Sequence, residues 1–284
     1  MSPIDPDEQR AASREAWEEA ATYWGRRADR VREWGMPVSV AMIDALRLQP
    51  GDRVVELAAG PGDTGFMAAE LIRPGGTLIS SDGAPQMLEV ARERAREAGL
   101  DNVEFKQLEL EWIDLETASV DAALCRWGLM LIVDPEAAAR EIRRVLRPGG
   151  RVALAVWDEA DRNPWTTIPG AVMVELGHTQ PPDPDAPGMF SLAAPGRLQE
   201  LLEDAGFTEV EVSPVALERH YVTVDQYVAE MLELSPLFRT AYEELGPTEQ
   251  AEVAARIAIG VQPYTAPDES VVLPGSSLVA QATA

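Results

Sequence analysis

The chain has 284 residues and a formal net charge of −24 at pH 7, from 24 Lys and Arg against 48 Asp and Glu. This length accommodates one large domain or a domain with a cap, and 46% hydrophobic residues suffice for a buried core. The negative charge would repel nucleic acid and anionic lipid, which excludes both as general partners. The single Cys125 excludes an intrachain disulfide, and two His residues exclude a His-rich metal site, so we expect no metal.

The beginning of the chain, MSPIDPDEQR, lacks the basic and apolar regions of a signal peptide. No apolar run approaches the roughly 20 residues that a membrane-spanning helix needs. These features predict a cytoplasmic protein that does not associate with membranes, whereas its oligomeric state stays open.

Separate helices are predicted before residue 50. Residues 7–32 are rich in Ala, Glu and Arg, with few helix breakers, and predict one or two helices that end near Gly35-Met36-Pro37. A second helix is expected over residues 39–48, before Gln49-Pro50-Gly51. We expect these N-terminal helices, residues 1–50, to cover the active site of a main domain at 51–284.

From residue 53 onward, short apolar runs alternate with helical patterns. Strands are predicted at 53–57, 77–81, 103–107, 120–125 and 152–157, with helices at 67–72, 85–98 and 136–146 between them. Further strands are predicted at 209–212 and 277–283. The alternation predicts an α/β fold: a Rossmann-like, doubly wound, seven-stranded sheet, mostly parallel with an antiparallel last strand, plus a helical cap.

Two segments are interpreted as that cap. Residues 158–190 carry six prolines and no helical pattern, which favours an irregular active-site lid. Further helices are predicted at 196–205, 224–234, 238–245 and 249–259, and the segment 224–260 is expected to complete the cap.

The loop after the first predicted strand carries the chemistry. Gly60-Pro61-Gly62-Asp63-Thr64-Gly65 matches the G-x-G-x-x-G pattern between a strand and a helix, where backbone approaches a ligand closely. Asp82 ends the next strand about 20 residues further on, where a carboxylate can accept hydrogen bonds from a ribose diol. These features suit either NAD or an adenosyl ligand.

Charge favours one of the two ligands. A pyrophosphate requires hydrogen-bond donors and positive potential. Here Glu56 ends the first strand and Asp63 lies inside the loop, so both carboxylates favour a cationic ligand such as S-adenosylmethionine (SAM). An NAD(P)-dependent oxidoreductase and a non-catalytic SAM-binding protein remain as alternatives.

Three motifs together resemble the class I SAM-dependent methyltransferases, and most closely the ubiquinone/menaquinone-biosynthesis type of small-molecule enzymes. The motifs occupy residues 54–65, 81–88 and 144–150. The similarity covers about residues 38–157 and continues more weakly through 201–212. It implies SAM as cofactor and in-line transfer of its methyl group to a small-molecule acceptor.

The resemblance also implies roles for individual residues. It places Asp82 on the ribose hydroxyls, Met87 on the adenine face and Glu109 at the adenine edge, where many relatives have Asp or Asn. The full implied cofactor set is Glu56, Ala58, Gly60, Pro61, Gly62, Asp82, Gly83, Met87, Glu109, Leu110 and Arg126.

The acceptor side rests on fewer signals. Trp127 and Trp157 end strands at the carboxyl edge of the sheet, and each is interpreted as either a pocket wall or core packing. Tyr23 and Trp24 are pocket candidates on the N-terminal helix, with packing as the alternative. His178, in the predicted lid, is the candidate general base because an imidazole titrates near neutral pH.

Overall fold

A single seven-stranded sheet forms the centre of the computed structural model, which describes residues 5–183 and 186–284. The strand order is β3-β2-β1-β4-β5-β7-β6. The strands are β1 Arg53–Leu57, β2 Thr77–Asp82, β3 Val103–Gln107, β4 Val120–Arg126, β5 Leu146–Trp157, β6 Thr208–Tyr221 and β7 Val271–Thr283.

Strands β1 to β5 are parallel to one another, and β7 runs antiparallel to both of its neighbours, β5 and β6. The strand order reverses beside β1, so the carboxyl ends of β1 and β4 flank the crevice where ligands bind in such sheets. The predicted fold class is confirmed.

The last two strands are longer than predicted. Strand β6 pairs with β7 from Thr208↔Thr283 to Tyr221↔Val271, whereas the sequence indicated only residues 209–212 and 277–283. Pro214 lies within β6, and a proline is tolerated there because β6 is the edge strand of the sheet.

Helices alternate with the first five strands as predicted. Helix α2 covers Asp63–Leu71, α3 Pro85–Glu97 and α4 Pro135–Val145, and α6 at Arg197–Asp204 precedes β6. Between β6 and β7 lie α7 Val224–Leu234, α8 Pro236–Glu243 and α9 Pro247–Val261.

The prediction of separate N-terminal helices is wrong. One helix, α1, spans Pro6–Leu46 and continues through Pro37. A proline costs an internal hydrogen bond, but Trp34, Val38 and Met42 are buried on both sides of it and keep the helix continuous. Helix α1 packs against α3 and against β5, β6 and β7.

The prediction of an irregular segment at 158–190 is also wrong for its first half. Helix α5 spans Pro164–Glu175, begins with Pro164 at a position where no N–H is needed, and contains Pro169 in its interior. Pro169 is buried, and α5 packs against α9 and β7, so tertiary packing compensates the lost bond. Residues 184 and 185 of the predicted lid, and residues 1–4 of the predicted N-terminal unit, lie outside the described residues.

Within residues 5–183 and 186–284, no helix is long and apolar enough to cross a membrane.

Candidate active site

A cleft opens at the carboxyl ends of β1, β2 and β4, under the first turns of α1. It brings together ten of the eleven residues implied for the cofactor: Glu56, Ala58, Gly60, Pro61, Asp82, Gly83, Met87, Glu109, Leu110 and Arg126. The eleventh, Gly62, lies behind the loop as the N-cap of α2, where its φ of 89° suits glycine.

Glu56 lies at the base of the cleft, with 3% of its surface exposed. Its Oε1 accepts a 2.7 Å hydrogen bond from the backbone N–H of Gly65, and its Oε2 accepts one from the Ser80 hydroxyl. Burial raises the pKa of the Glu56 carboxyl to about 8, although the Gly65 N–H and the nearby positive charge of Arg126 act in the opposite direction. A cationic group in the cleft would therefore stabilise the ionised form.

Asp82 lies on the opposite side of the glycine turn. Its Oδ2 accepts from the Gly60 N–H at 2.9 Å and its Oδ1 from the Ala84 N–H at 3.0 Å, so the carboxylate is held in place. Burial raises its pKa to about 6. Each oxygen keeps a second lone pair, and Asp82 lines the cleft, which fits a vicinal diol.

Asp63 does not contribute to the cleft as the sequence argument assumed. Its Oδ1 accepts a 2.6 Å hydrogen bond from Arg94 of α3, and Arg94 also donates to the carbonyl of Pro61. This ion pair neutralises Asp63 and anchors the loop to α3. The acidic side chains that line the cleft are those of Glu56, Asp82, Glu109 and Glu111, and Asp63 is not among them.

The adenine side of the cleft combines aromatic and sulfur-containing side chains. Met87 is buried beside Trp17 and Trp24, whose rings meet edge to face with centroids 5.7 Å apart. Such a wall suits a flat heteroaromatic ring. Glu109 lies next to Gly83, where an added Cβ would be 3.1 Å from its Oε2. These contacts fit an adenosyl group.

Comparisons with known proteins identify the family. A family described as "Methyltransferase domain" matches residues 48–186. A demethylmenaquinone methyltransferase of Listeria welshimeri is 31% identical, over 58% of this chain and 74% of that protein. The chain belongs to the class I SAM-dependent methyltransferases. The cofactor of this family is SAM, in agreement with the acidic cleft.

The chain is also similar to a second curated protein and to a solved structure. An arsenite methyltransferase of Halobacterium salinarum is 30% identical over 59% of this chain and 40% of that protein. The structure of the YcgJ protein from Bacillus subtilis has a TM-score of 0.58 at 18% identity, over 86% of this chain and 97% of the other, and shows the shared fold. The chain spans less than half of the length of several curated relatives that it matches.

Two residues that line the cleft have positive φ angles, which are uncommon for residues other than glycine. Ala58, after β1, has φ 49°, and Trp127, after β4, has φ 61°. The chain of Gly128 passes so close that an added Cβ would lie 2.4 Å from the Ala58 Cβ. Strained, non-glycine positions of this kind cluster at functional sites.

The candidate acceptor residues separate into two groups. Trp127 and Trp24 line the cleft. Trp157 does not; it is buried and stacks on Trp127 with centroids 4.4 Å apart. Tyr23 contacts the guanidinium groups of Arg26 and Arg239 instead of the cleft.

The structure does not bring His178 to the cleft. His178 lies in the turn after α5, where its backbone N–H donates to the carbonyl of Met173. In the described part of the chain, none of the residues at 158–183 and 186–190 lines the cleft.

Three side chains hold α1 over the cleft, and none of them was predicted from the sequence. Arg10 donates two hydrogen bonds of 2.9 Å to the buried carboxylate of Glu111, and Arg14 pairs with Glu109 at 2.8 Å. Glu18 accepts from the backbone N–H of Gln86 at the start of α3. The spacing of residues 10, 14 and 18 places them on one helix face, and this pattern was the available signal.

Proposed function

We propose that this chain transfers the methyl group of SAM to a small-molecule acceptor bound beside Trp127. The observation that carries the proposal is the pair of held carboxylates, Glu56 and Asp82, on either side of one glycine turn. An ammonium group matches the first and a ribose diol the second. When bound, SAM supplies an electrophilic methyl group on a sulfonium, whose departure as a thioether requires no covalent enzyme intermediate.

We assign the cofactor-binding roles accordingly. Glu56 and the backbone around Ala58 hold the amino-acid end over Gly60-Pro61-Gly62, and Asp82 with Gly83 holds the ribose. Met87, Glu109 and Leu110 enclose the adenine. The proposal is supported by the position of these groups along a single cleft.

The acceptor enters from the side of Arg126 and Trp127. Arg126 donates to the Ser39 hydroxyl of α1 at 2.9 Å, and its guanidinium lies 4.7 Å from the Trp127 ring. Together with α1 as a cover, these groups align the acceptor atom with the methyl carbon and exclude water. Alignment and exclusion of water supply most of the rate enhancement for such a displacement. Of the segment 224–260, α7 packs against α1, and none of its residues lines the cleft.

Titration calorimetry with SAM, S-adenosylhomocysteine (SAH) and NADH tests the cofactor. We expect tight binding of both adenosyl ligands and none of NADH, with the affinity lost in Asp82→Ala and kept in the exposed control Asp204→Ala. Binding of NADH alone would contradict the proposal and favour an oxidoreductase.

Incubation with deuterated-methyl SAM and a broad panel of acceptors tests the reaction itself. We expect SAH formation matched by a mass increase in one acceptor class. Tight SAM binding without transfer to any acceptor of the panel would instead support the non-catalytic alternative.

A further inference from the structure

Arg219 of β6 is buried between indole rings, with 1% of its surface exposed. Its Cζ lies 3.6 Å from the ring centroid of Trp34 and 3.3 Å from that of Trp165. Stacking on both faces stabilises a guanidinium without using its in-plane N–H groups, one of which faces the Tyr221 hydroxyl.

The charge of Arg219 is only partly compensated. The buried carboxylate of Glu230 lies 3.9 Å from its Nη1, beyond hydrogen-bonding distance. Glu230 already accepts hydrogen bonds from the Tyr221 hydroxyl at 2.8 Å and from Arg30 at 3.2 Å. Its single negative charge therefore faces two guanidinium groups, those of Arg30 and Arg219. Among the described residues, Nε and Nη1 of Arg219 have no hydrogen-bond partner. A buried cation with unused donors is the counterpart of an anion.

This cation is connected to the cleft by stacked rings. The Trp34 ring stacks on Trp127 with centroids 5.3 Å apart, and Trp127 stacks on Trp157 at 4.4 Å. Trp127 is itself a wall of the cleft. We call Trp34, Trp127, Trp157 and Trp165 the tryptophan cluster. It extends from the proposed methyl-transfer position to Arg219.

We propose that Arg219 and three rings of the tryptophan cluster, Trp127, Trp157 and Trp165, form the acceptor subsite and select a flat aromatic acceptor that carries a carboxylate. This inference rests on the proposed function and names its substrate class. Indole faces stack on an aromatic acceptor, and the unused N–H groups of Arg219 donate to its carboxylate. In a chain with net charge −24, Arg219 and Arg126 at the two ends of the stack are the local attraction for an anion.

The acceptor displaces the ring of Trp34. Trp127 is tethered by its indole N–H to the Ser277 hydroxyl at 3.0 Å, and Trp165 to Asn163 at 3.1 Å. The indole N–H of Trp34 is buried and has no hydrogen-bond partner among the described residues. Trp34 also belongs to α1, the helix that covers the cofactor cleft. Displacement of its ring exposes both Arg219 and Trp127.

The test compares 2-naphthoate with its neutral isostere 2-naphthamide as probes, by calorimetry in the presence of saturating SAH. We expect the wild-type protein to bind naphthoate at least tenfold more tightly than naphthamide. In Arg219→Gln this preference should disappear, while SAH affinity stays within twofold. The matched control is Arg92→Gln, which removes an exposed guanidinium stacked 4.8 Å from Phe105 and should keep the preference.

Two further variants keep the test decisive. If Arg219→Gln does not fold, Arg219→Lys retains the positive charge but not the planar group that stacks on the indole rings. We expect this variant to lose at least threefold in affinity for naphthoate and none for naphthamide. Trp34→Ala should raise naphthoate affinity severalfold, whereas removal of a ring that only packs in the core would lower it.

Equal binding of the two probes to the wild type, or a preference that survives loss of the guanidinium, would overturn the acceptor assignment. Unchanged or lower naphthoate affinity in Trp34→Ala would overturn the role of Trp34. Failure of the wild type to bind SAH would instead contradict the proposed function, so the two failures are distinguishable.

Discussion

The carboxylate of Glu56 docks on the backbone of Gly65 with a 2.7 Å hydrogen bond, and a Cβ at Gly65 would lie 2.1 Å from its Oε2. The third glycine of the G-x-G-x-x-G pattern therefore makes room for a buried acid at the start of α2. A dinucleotide site uses this helix terminus to receive phosphate. Here the same terminus is occupied by the protein's own Glu56 carboxyl group, so its N–H groups are not available to a phosphate.

Gly65→Ala should disrupt this contact. The added methyl forces Glu56 away from the Gly65 N–H, and we expect a loss of about 1–3 kcal/mol in the free energy of unfolding. SAH affinity should fall at least tenfold because the carboxylate is displaced. Urea denaturation and calorimetry measure the two effects.

The control for this variant is Gly170→Ala. Gly170 is exposed within α5, and an added Cβ there has no atom within 4 Å. This substitution should stabilise the protein by about 0.5–1 kcal/mol and leave SAH affinity unchanged. Equal effects of the two variants would contradict the role assigned to Gly65.

Cofactor binding should depend on pH through Glu56. Its pKa is raised to about 8 by burial, so the carboxyl is largely protonated in the free protein at pH 6. An ammonium group bound beside it favours the carboxylate, so binding releases a proton and SAH affinity should rise between pH 6 and 8. Calorimetry in buffers of different ionisation enthalpy measures the released proton. The Glu56→Gln variant should bind weakly and show no such release.

The raised pKa of Glu56 also predicts that stability falls as pH rises, whereas SAH affinity rises. Between its unfolded pKa of 4.5 and about 8, the folded chain holds a proton on Glu56 that the unfolded chain has released. Stability must therefore fall as pH rises through this range. Without ligand, the free energy of unfolding of Glu56→Gln should rise relative to that of the wild type by up to roughly 1 kcal/mol per pH unit. Urea denaturation at pH 5 to 8 measures this difference. A constant difference across that range would contradict the shifted titration.

Local patterns predicted the positions of strands β1 to β4 well, because the pattern of a strand depends on residues close together in sequence. Strands β1 and β3 lie where their apolar runs ended at turn residues. The two wrong helix predictions came from Pro37 and Pro169, whose cost is local whereas the compensating burial is tertiary.

Long-range pairings in the site were outside the reach of the sequence. Arg10 meets Glu111 across about a hundred residues, and Arg219 of β6 meets Trp34 of α1. Neither arginine has a sequence neighbour that indicates its partner. Only the packing of α1 over the sheet brings these groups together.

Arg10→Met should loosen the cover of the cleft. It removes both hydrogen bonds to Glu111 and leaves that buried carboxylate with the Asp134 N–H as its remaining described partner. We expect faster hydrogen exchange over residues 6–24 and severalfold faster SAH release in stopped-flow measurements. The control is Arg96→Met, which breaks an exposed pair with Glu93 on α3. If exchange and release match the wild type, α1 is held by its apolar contacts alone.

His178→Gln tests whether the segment after α5 takes part in the reaction. The described structure places His178 in a turn tied to Met173, away from the cleft-lining residues. We therefore expect the rate of SAH formation at pH 7 to stay within twofold of the wild type. Trp127→Ala, which removes a wall of the cleft, should lower that rate at least tenfold and serves as the positive control. A loss of rate in His178→Gln as large as that in Trp127→Ala would contradict this expectation and show that the segment after α5 reaches the acceptor.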